Sequence, residues 1–177
     1  MNAALFSSAT ALWATPQDLF DVLHREFHFE VDVCAIAENA KCPVYFTPEM
    51  DGLKQNWKAG VVHWMNPVYG NPEHVCKPNC KKKRCAKRGY HNTVYQPGII
   101  DFMRKAYTSA KAGATVVCLV PARTDTRWWW TYAIHGEVRF LKGRLKFGDG
   151  KKNAPFPSAI IVFHPYLAKQ GTQWGLS

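Results

Sequence analysis

Asn66, Pro67 and Tyr69, in the run Asn66-Pro67-Val68-Tyr69, are of the types needed to hold an amino group and a flat ring together. The Asn66 side-chain oxygen and the Pro67 carbonyl can both accept hydrogen bonds from an exocyclic amine. Tyr69 offers a face for a base to stack on. A site that takes up an extruded adenine and draws electron density onto its N6 needs these groups. A second reactive group follows at once, in the spacing His74-x-Cys76-x3-Cys80-x4-Cys85-x5-His91. Closely spaced thiols and an imidazole suit a tetrahedral Cys3His zinc site. Cys76, Cys80, Cys85 and His91 are the preferred ligands, and His74 is the substitute fourth. Lys77, Lys81, Lys82, Lys83, Arg84, Lys87 and Arg88 share that stretch and could grip phosphates beside an extruded base.

Three further places carry chemistry. Trp13-Ala14-Thr15-Pro16 reads as the head of a helix, whose free N–H groups can meet a carboxylate. Asp32, at the end of an apolar run and followed by small residues, can bind an ammonium group or ribose hydroxyls. The Gly-rich G-x-G turn of many nucleotide sites is absent there. In Asp51-Gly52-Leu53 the carboxylate can accept from an adenine amine while the leucine packs on its ring.

These residues need elements to position them. Thr15 as N-cap and Pro16 in the first turn start a helix carrying Leu19, Phe20, Leu23 and Phe27 at helical spacing. Residues 29–33, 44–46, 61–65, 115–120 and 158–163 read as strands. Ile99, Phe102, Met103, Ala106 and Ala110 line one face of a helix over 99–112. Trp128-Trp129-Trp130 is placed in a short helix, as packing and loop anchoring. Residues 137–141 and 144–147, split by Lys142-Gly143, read as a hairpin. Residues 71–97 break the pattern and read as an inserted, basic, Cys-rich loop. Helices alternating with apolar strands predict an α/β, Rossmann-like, mostly parallel sheet with antiparallel edge strands. The Asn-Pro-Val-Tyr run then falls at a strand's C-terminal end, where open sheets bind ligands.

With 177 residues, 47% of them hydrophobic, the chain suits one folded domain over 1–177 rather than a disordered one. A formal charge of +10 favours a polyanionic partner, with nucleic acid the first candidate. No long apolar run predicts a membrane span, and Met1 to Thr10 lacks the features of a secretory signal. The six cysteines are therefore expected as reduced thiols in a cytoplasm. Cys34, Cys42 and Cys118 sit in apolar settings as packing residues. The tail after Pro165 reads as loosely structured.

The order of the motifs is informative. Trp-x-Thr-Pro, then Asp32-x-x-Ala35, then Asp51-Gly52-Leu53, then Asn-Pro-x-Tyr resembles the phage-type DNA N6-adenine methyltransferases, often called phage Dam. Leu119 to Thr126 followed by Trp128-Trp129 is similar to that family's strand and turn after the catalytic loop. Phe140 to Phe147 and Ala154 to Ala159 are similar to its C-terminal strands. The resemblance implies a methyltransferase using S-adenosylmethionine (SAM) to methylate adenine N6 in DNA. By the same resemblance Trp13, Thr15 and Pro16 flank the methionine end of the cofactor, and Asp32 and Ala35 lie beside it. Asp51 and Leu53 contact its adenine, Asn66 is also a cofactor-binding residue, and Asn66, Pro67 and Tyr69 hold the target base next to it. Arg123, Arg127 and Arg144 are further DNA-contact candidates. The family has a second proline where this chain has Val68, whose β-branch stiffens the loop by other means. The alternatives are a catalytically silent DNA-binding protein of the same fold, or methylation of N4 of cytosine or of protein glutamine. If the chain is phage-encoded, its compartment is the host-cell cytoplasm.

Overall fold

A computed structural model describes residues 13–148 and 153–165. The expectations for Met1 to Thr10 and for the tail after Pro165 lie outside the described residues.

Six strands form one mixed sheet: β1 (Val31–Asp32), β2 (Val44–Tyr45), β3 (Val62–Met65), β4 (Thr115–Pro121), β5 (Glu137–Phe140) and β6 (Ser158–Phe163). Their order is β2-β1-β3-β4-β6-β5. β2, β1, β3 and β4 are mutually parallel, and β6 runs antiparallel to both β4 and β5. The helices are α1 (Gln17–Phe27), α2 (Lys83–Arg88), α3 (Ile99–Lys111) and α4 (Arg127–Thr131), with a 3-10 turn at Ala133–His135. This is the expected Rossmann-like α/β arrangement. Among the described residues no helix is long and apolar enough to cross a membrane.

β4 and β6 form the centre of the core because every residue of Val116–Val120 and Ala159–Phe163 is almost wholly buried. A strand covered on both faces reads as a continuous apolar run, and both runs do. α3 packs Phe102, Met103, Ala106 and Ala110 against this sheet, with Met103 and Ala106 fully buried. Phe20 of α1 lies against Phe29 and Trp64, with ring centroids 5.3 and 5.6 Å apart. α1 ends at His28, whose left-handed backbone (φ 54°) brings its N–H to the His24 carbonyl at 2.9 Å.

Two local expectations are corrected. Thr15 does not cap α1; Pro16 holds the N-cap position with no side-chain cap. The Thr15 hydroxyl instead faces inward and accepts a hydrogen bond from Asn66, 51 residues away. The predicted hairpin is also replaced. β5 pairs with β6, while residues 144–147 contribute only a bridge from Lys146 to Asn153. Burial decides this: Phe147 is drawn against Trp13 and Tyr69, and β6 needs a partner on each side.

Candidate functional site

Sheet order fixes where a ligand can sit. From β1 the chain moves outward to β2, then returns to place β3 on the other side of β1. The C-terminal ends of β1 and β3 therefore form a topological switch point, and a crevice opens between such ends. Asp32 ends β1 and Asn66 directly follows β3. The main chain joins the two ends, with Val33 N–H donating to Trp64 O at 3.0 Å. Asp32 and Asn66 line one small cavity together with Thr15, Cys34, Lys41 and Trp64. The indole N–H of Trp64 has no partner among the described residues.

Asp32 is buried, and its two oxygens accept from the backbone N–H groups of Cys34 (3.2 Å) and Lys41 (3.1 Å). Burial raises its carboxyl to about 6, against the downward pull of those two hydrogen bonds. Among the described residues no ammonium or guanidinium group pairs with it: the Lys41 side chain donates to Gln17 instead. The Lys41 charge adds a weaker downward pull, and a buried carboxylate of this kind can receive a cation supplied from outside.

Asn66 is locked. Its amide nitrogen donates to Trp13 O at 2.7 Å and to Thr15 Oγ1 at 3.0 Å. A carbonyl can only accept, so the amide orientation is set by its surroundings. The Asn66 oxygen accepts from the Tyr69 hydroxyl at 2.6 Å, and one of its two lone pairs remains. Burial keeps the Tyr69 phenol far above its ordinary range, so it stays a donor. This differs from the stacking face expected of Tyr69. Its ring is covered by Trp13, Phe147 and Phe156, at centroid distances of 6.3, 6.2 and 5.5 Å. Phe147 and Phe156 were not anticipated as site residues. The signal available was the position of both within stretches that resemble the family's C-terminal strands.

A second cavity adjoins the first through Cys34, which lines both. It is partly open, and its wall is mostly apolar. Its wall includes Ala35, Phe46, Asp51, Gly52 and Val68. Gly52 is required there: a Cβ would lie 2.4 Å from the Val33 carbonyl oxygen. Asp51 adopts a left-handed backbone (φ 54°) and pairs with Lys54 at 3.0 Å. Leu53 lines the neighbouring outer cleft with Asp51 and Tyr95. Pro67 is buried and lines neither cavity, and Pro16 is half-buried at the start of α1. Burial holds the Cys34 thiol well above its ordinary range, leaving it protonated and a poor nucleophile.

The insert over 71–97 is more ordered than a loop. Its stem is a two-way backbone bridge between Glu73 and Gln96, each bond 2.9 Å. Its tip carries α2. The ligand atoms of Cys76, Cys80, Cys85 and His91 all lie within 4.8 Å of one another. His74 is not among them and packs on Tyr95. Lys81, Lys82, Lys83, Arg84 and Lys87 are exposed on the tip. Arg84 also pairs with Glu73. Arg88 differs from the expectation of DNA contact. Its guanidinium is engaged by Glu73 at 2.8 Å, Asn92 at 2.9 Å and the Tyr90 carbonyl at 3.0 Å. Arg123, Arg127 and Arg144 are exposed; Arg123 sits over the Phe156 ring at 5.9 Å.

The model of the family described as "DNA N-6-adenine-methyltransferase (Dam)" matches residues 3–171. Over 63 residues the chain is 41% identical to the DNA N-6-adenine-methyltransferase of Haemophilus phage HP1, covering 34% of this chain and 36% of that protein. It is 25% identical over 141 residues to the protein of the same name from Escherichia phage T1, covering 79% of this chain and 55% of that one. The chain thus aligns with about a third and about half of the length of these two relatives.

Proposed function

The chain belongs to the DNA N-6-adenine-methyltransferase (Dam) family, and from that premise we propose that it transfers a methyl group from SAM to N6 of an adenine extruded from DNA. The observation that carries this reading is the sharing of one cavity by a buried carboxylate and an orientation-locked amide. The residues present fit the cofactor. Asp32 would receive its ammonium group at the mouth of α1, beside Thr15 and Pro16. Ala35 and Asp51 would flank its adenosine in the larger cavity, with Leu53 at the outer rim. The cofactor supplies an electrophilic methyl group on a sulfonium; the chain supplies position.

The adenine amine is a poor nucleophile because its lone pair is delocalised into the ring. The free lone pair of the Asn66 oxygen and the Pro67 carbonyl would accept its two N–H hydrogens. The nitrogen is thereby biased toward a tetrahedral shape, its own lone pair directed at the methyl carbon. A cofactor bound there would supply its methyl group to that nitrogen and be left as a neutral thioether. The extra proton then departs from the amine to water. No base of low pKa is needed before attack, so orientation and preorganised dipoles supply the rate. Tyr69 positions the Asn66 oxygen through its hydroxyl. Base stacking on its ring requires the Phe156 and Phe147 cover to part.

The decisive experiment incubates the protein with SAM and duplex DNA, then separates the nucleosides by mass spectrometry. N6-methyladenine is the expected product. N4-methylcytosine, or DNA and SAM binding without any product, would replace this reading by one of the alternatives.

Asp32 gives the site a pH dependence. The free carboxyl takes up a proton as pH falls through about 6, losing the charge that attracts an ammonium group. Cofactor affinity is therefore full above that value and weakens below it, by about tenfold between pH 7 and pH 5. Calorimetry across that range, with Asp32→Asn as control, checks this. A wild-type profile as flat as the variant's would remove Asp32 from the cofactor site.

For DNA, the exposed Lys81, Lys82 and Lys83 are proposed phosphate contacts beside the base pocket. Replacing all three with alanine should make the slope of log affinity against log salt shallower by about 2 to 3, at roughly 0.9 per phosphate on duplex. An unchanged slope would place the DNA elsewhere.

A further inference from the structure

We infer that residues 71–97 carry a structural zinc ion, bound by Cys76, Cys80, Cys85 and His91, which holds the basic tip of the insert in one conformation beside the catalytic loop. Three observations point there.

The first is distance. Cys85 Sγ lies 3.6 Å from Cys76 Sγ and 3.8 Å from Cys80 Sγ. A tetrahedral ion with zinc–sulfur bonds of about 2.3 Å has sulfurs about 3.8 Å apart. Bonded sulfurs would be about 2.05 Å apart, and three thiols around one point cannot all pair. The four ligand atoms cluster within 4.8 Å, as one ion requires.

The second is the lack of an apolar core. The tip buries Cys85 and Asn92 but exposes Val75, Tyr90 and Val94. Its interior is a polar network, with Arg88 and Asn92 both bonded to Glu73 and to each other. A segment without an apolar core needs a cross-link to stay folded.

The third is support around the ligands. Arg88 Nη2 reaches Cys85 Sγ at 3.6 Å, and the Cys76 N–H donates to Asn92 O at 2.9 Å. Three thiolates and a neutral imidazole leave a zinc site with one net negative charge, which the Arg88 guanidinium offsets. Such outer partners orient and stabilise ligands.

The stem ties this site to the catalytic loop. Ile99 N–H donates to Gly70 O at 2.9 Å, and the Glu73–Gln96 bridge follows directly. The ion fixes α2, and α2 carries Lys83, Arg84 and Lys87. The metal site itself does not depend on the proposed reaction; the effect on DNA does.

The test is metal analysis of the full chain, purified without a polyhistidine tag. About one zinc per chain is expected. Cobalt(II) exchanged into the wild-type protein should give the intense visible bands of a tetrahedral thiolate site, a readout that needs no variant to fold. Cys76→Ser and His91→Ala should lose the metal, and His74→Ala should keep it. Removing zinc with a chelator should weaken DNA binding about tenfold and leave SAM affinity unchanged. Near-zero zinc with no tetrahedral cobalt spectrum would overturn the site. Loss of metal on His74→Ala but not on His91→Ala would overturn the ligand set. One bound zinc whose removal leaves DNA affinity unchanged would overturn the link to the basic tip. A metal-loaded protein with no affinity for DNA would instead refute the proposed substrate.

Discussion

Asn66→Ala is expected to slow methyl transfer to DNA on the order of 10²- to 10³-fold, as for loss of one preorganised polar contact to a reacting group. SAM affinity should stay close to that of the wild type, because Asp32 keeps both of its main-chain donors without Asn66. The magnitude rests on what the amide does in the ground state. Its nitrogen is fixed by Trp13 O and Thr15 Oγ1 before any substrate arrives. Its oxygen therefore needs no reorganisation when the amine enters. Truncation also strips the Tyr69 hydroxyl of its 2.6 Å partner and leaves only the weaker 3.4 Å contact to Leu119 O. Single-turnover methylation beside SAM calorimetry reads the two effects separately. Wild-type turnover in the variant would remove Asn66 from the reaction.

Gly98→Ala is expected to damage the same site without touching it. A Cβ at residue 98 would lie 2.3 Å from Pro72 N and 2.5 Å from both Asn71 C and Gly70 O. All three are backbone atoms, so no side chain can swing aside. The backbone of Gly98 is extended (φ −122°), so alanine meets no torsional objection there. Space alone forbids it. The end of the Asn-Pro-Val-Tyr loop must retreat from α3, weakening the bond between Ile99 N–H and Gly70 O. Overpacking of this kind costs about 1–3 kcal/mol of stability. A shift of about 1 Å in a loop that aligns reacting atoms can cost on the order of 10² in rate. Thermal melting and kcat measured on one preparation would show both losses. A variant with wild-type melting and kcat would mean that the Gly70–Pro72 backbone has room to move without consequence.

How far the sequence foretold this depends on the range of the forces. β4 and β6 were legible because burial on both faces writes an unbroken apolar run. α3 was legible because its buried residues recur with the helical period. The positions of Asp32 and Asn66 followed from strand ends and motif order. What stayed hidden arises between distant residues. Nothing near Tyr69 announces that Phe147 and Phe156 will cover its ring. Nothing near Thr15 tells that Asn66 will claim its hydroxyl. Arg88 looks like its basic neighbours until Glu73, fifteen residues earlier, is folded against it. The false hairpin has the same origin. Lys142-Gly143 is good local turn chemistry, with Gly143 indeed at positive φ, but the burial of Phe147 prevails.

The frame around Asn66 draws on widely separated stretches of the polypeptide. Trp13 contributes its carbonyl and ring, and Phe147 and Phe156 close over that ring from more than 130 residues downstream. The Gly148 N–H also reaches back to Ala14 O at 3.0 Å. A nascent chain on the ribosome that has reached only the Asn-Pro-Val-Tyr run therefore carries the motif but not its enclosure. Contacts of such long sequence separation form late and slow the search for the native state. Products that stop before Phe147 should be inert, so competence requires synthesis beyond Phe156.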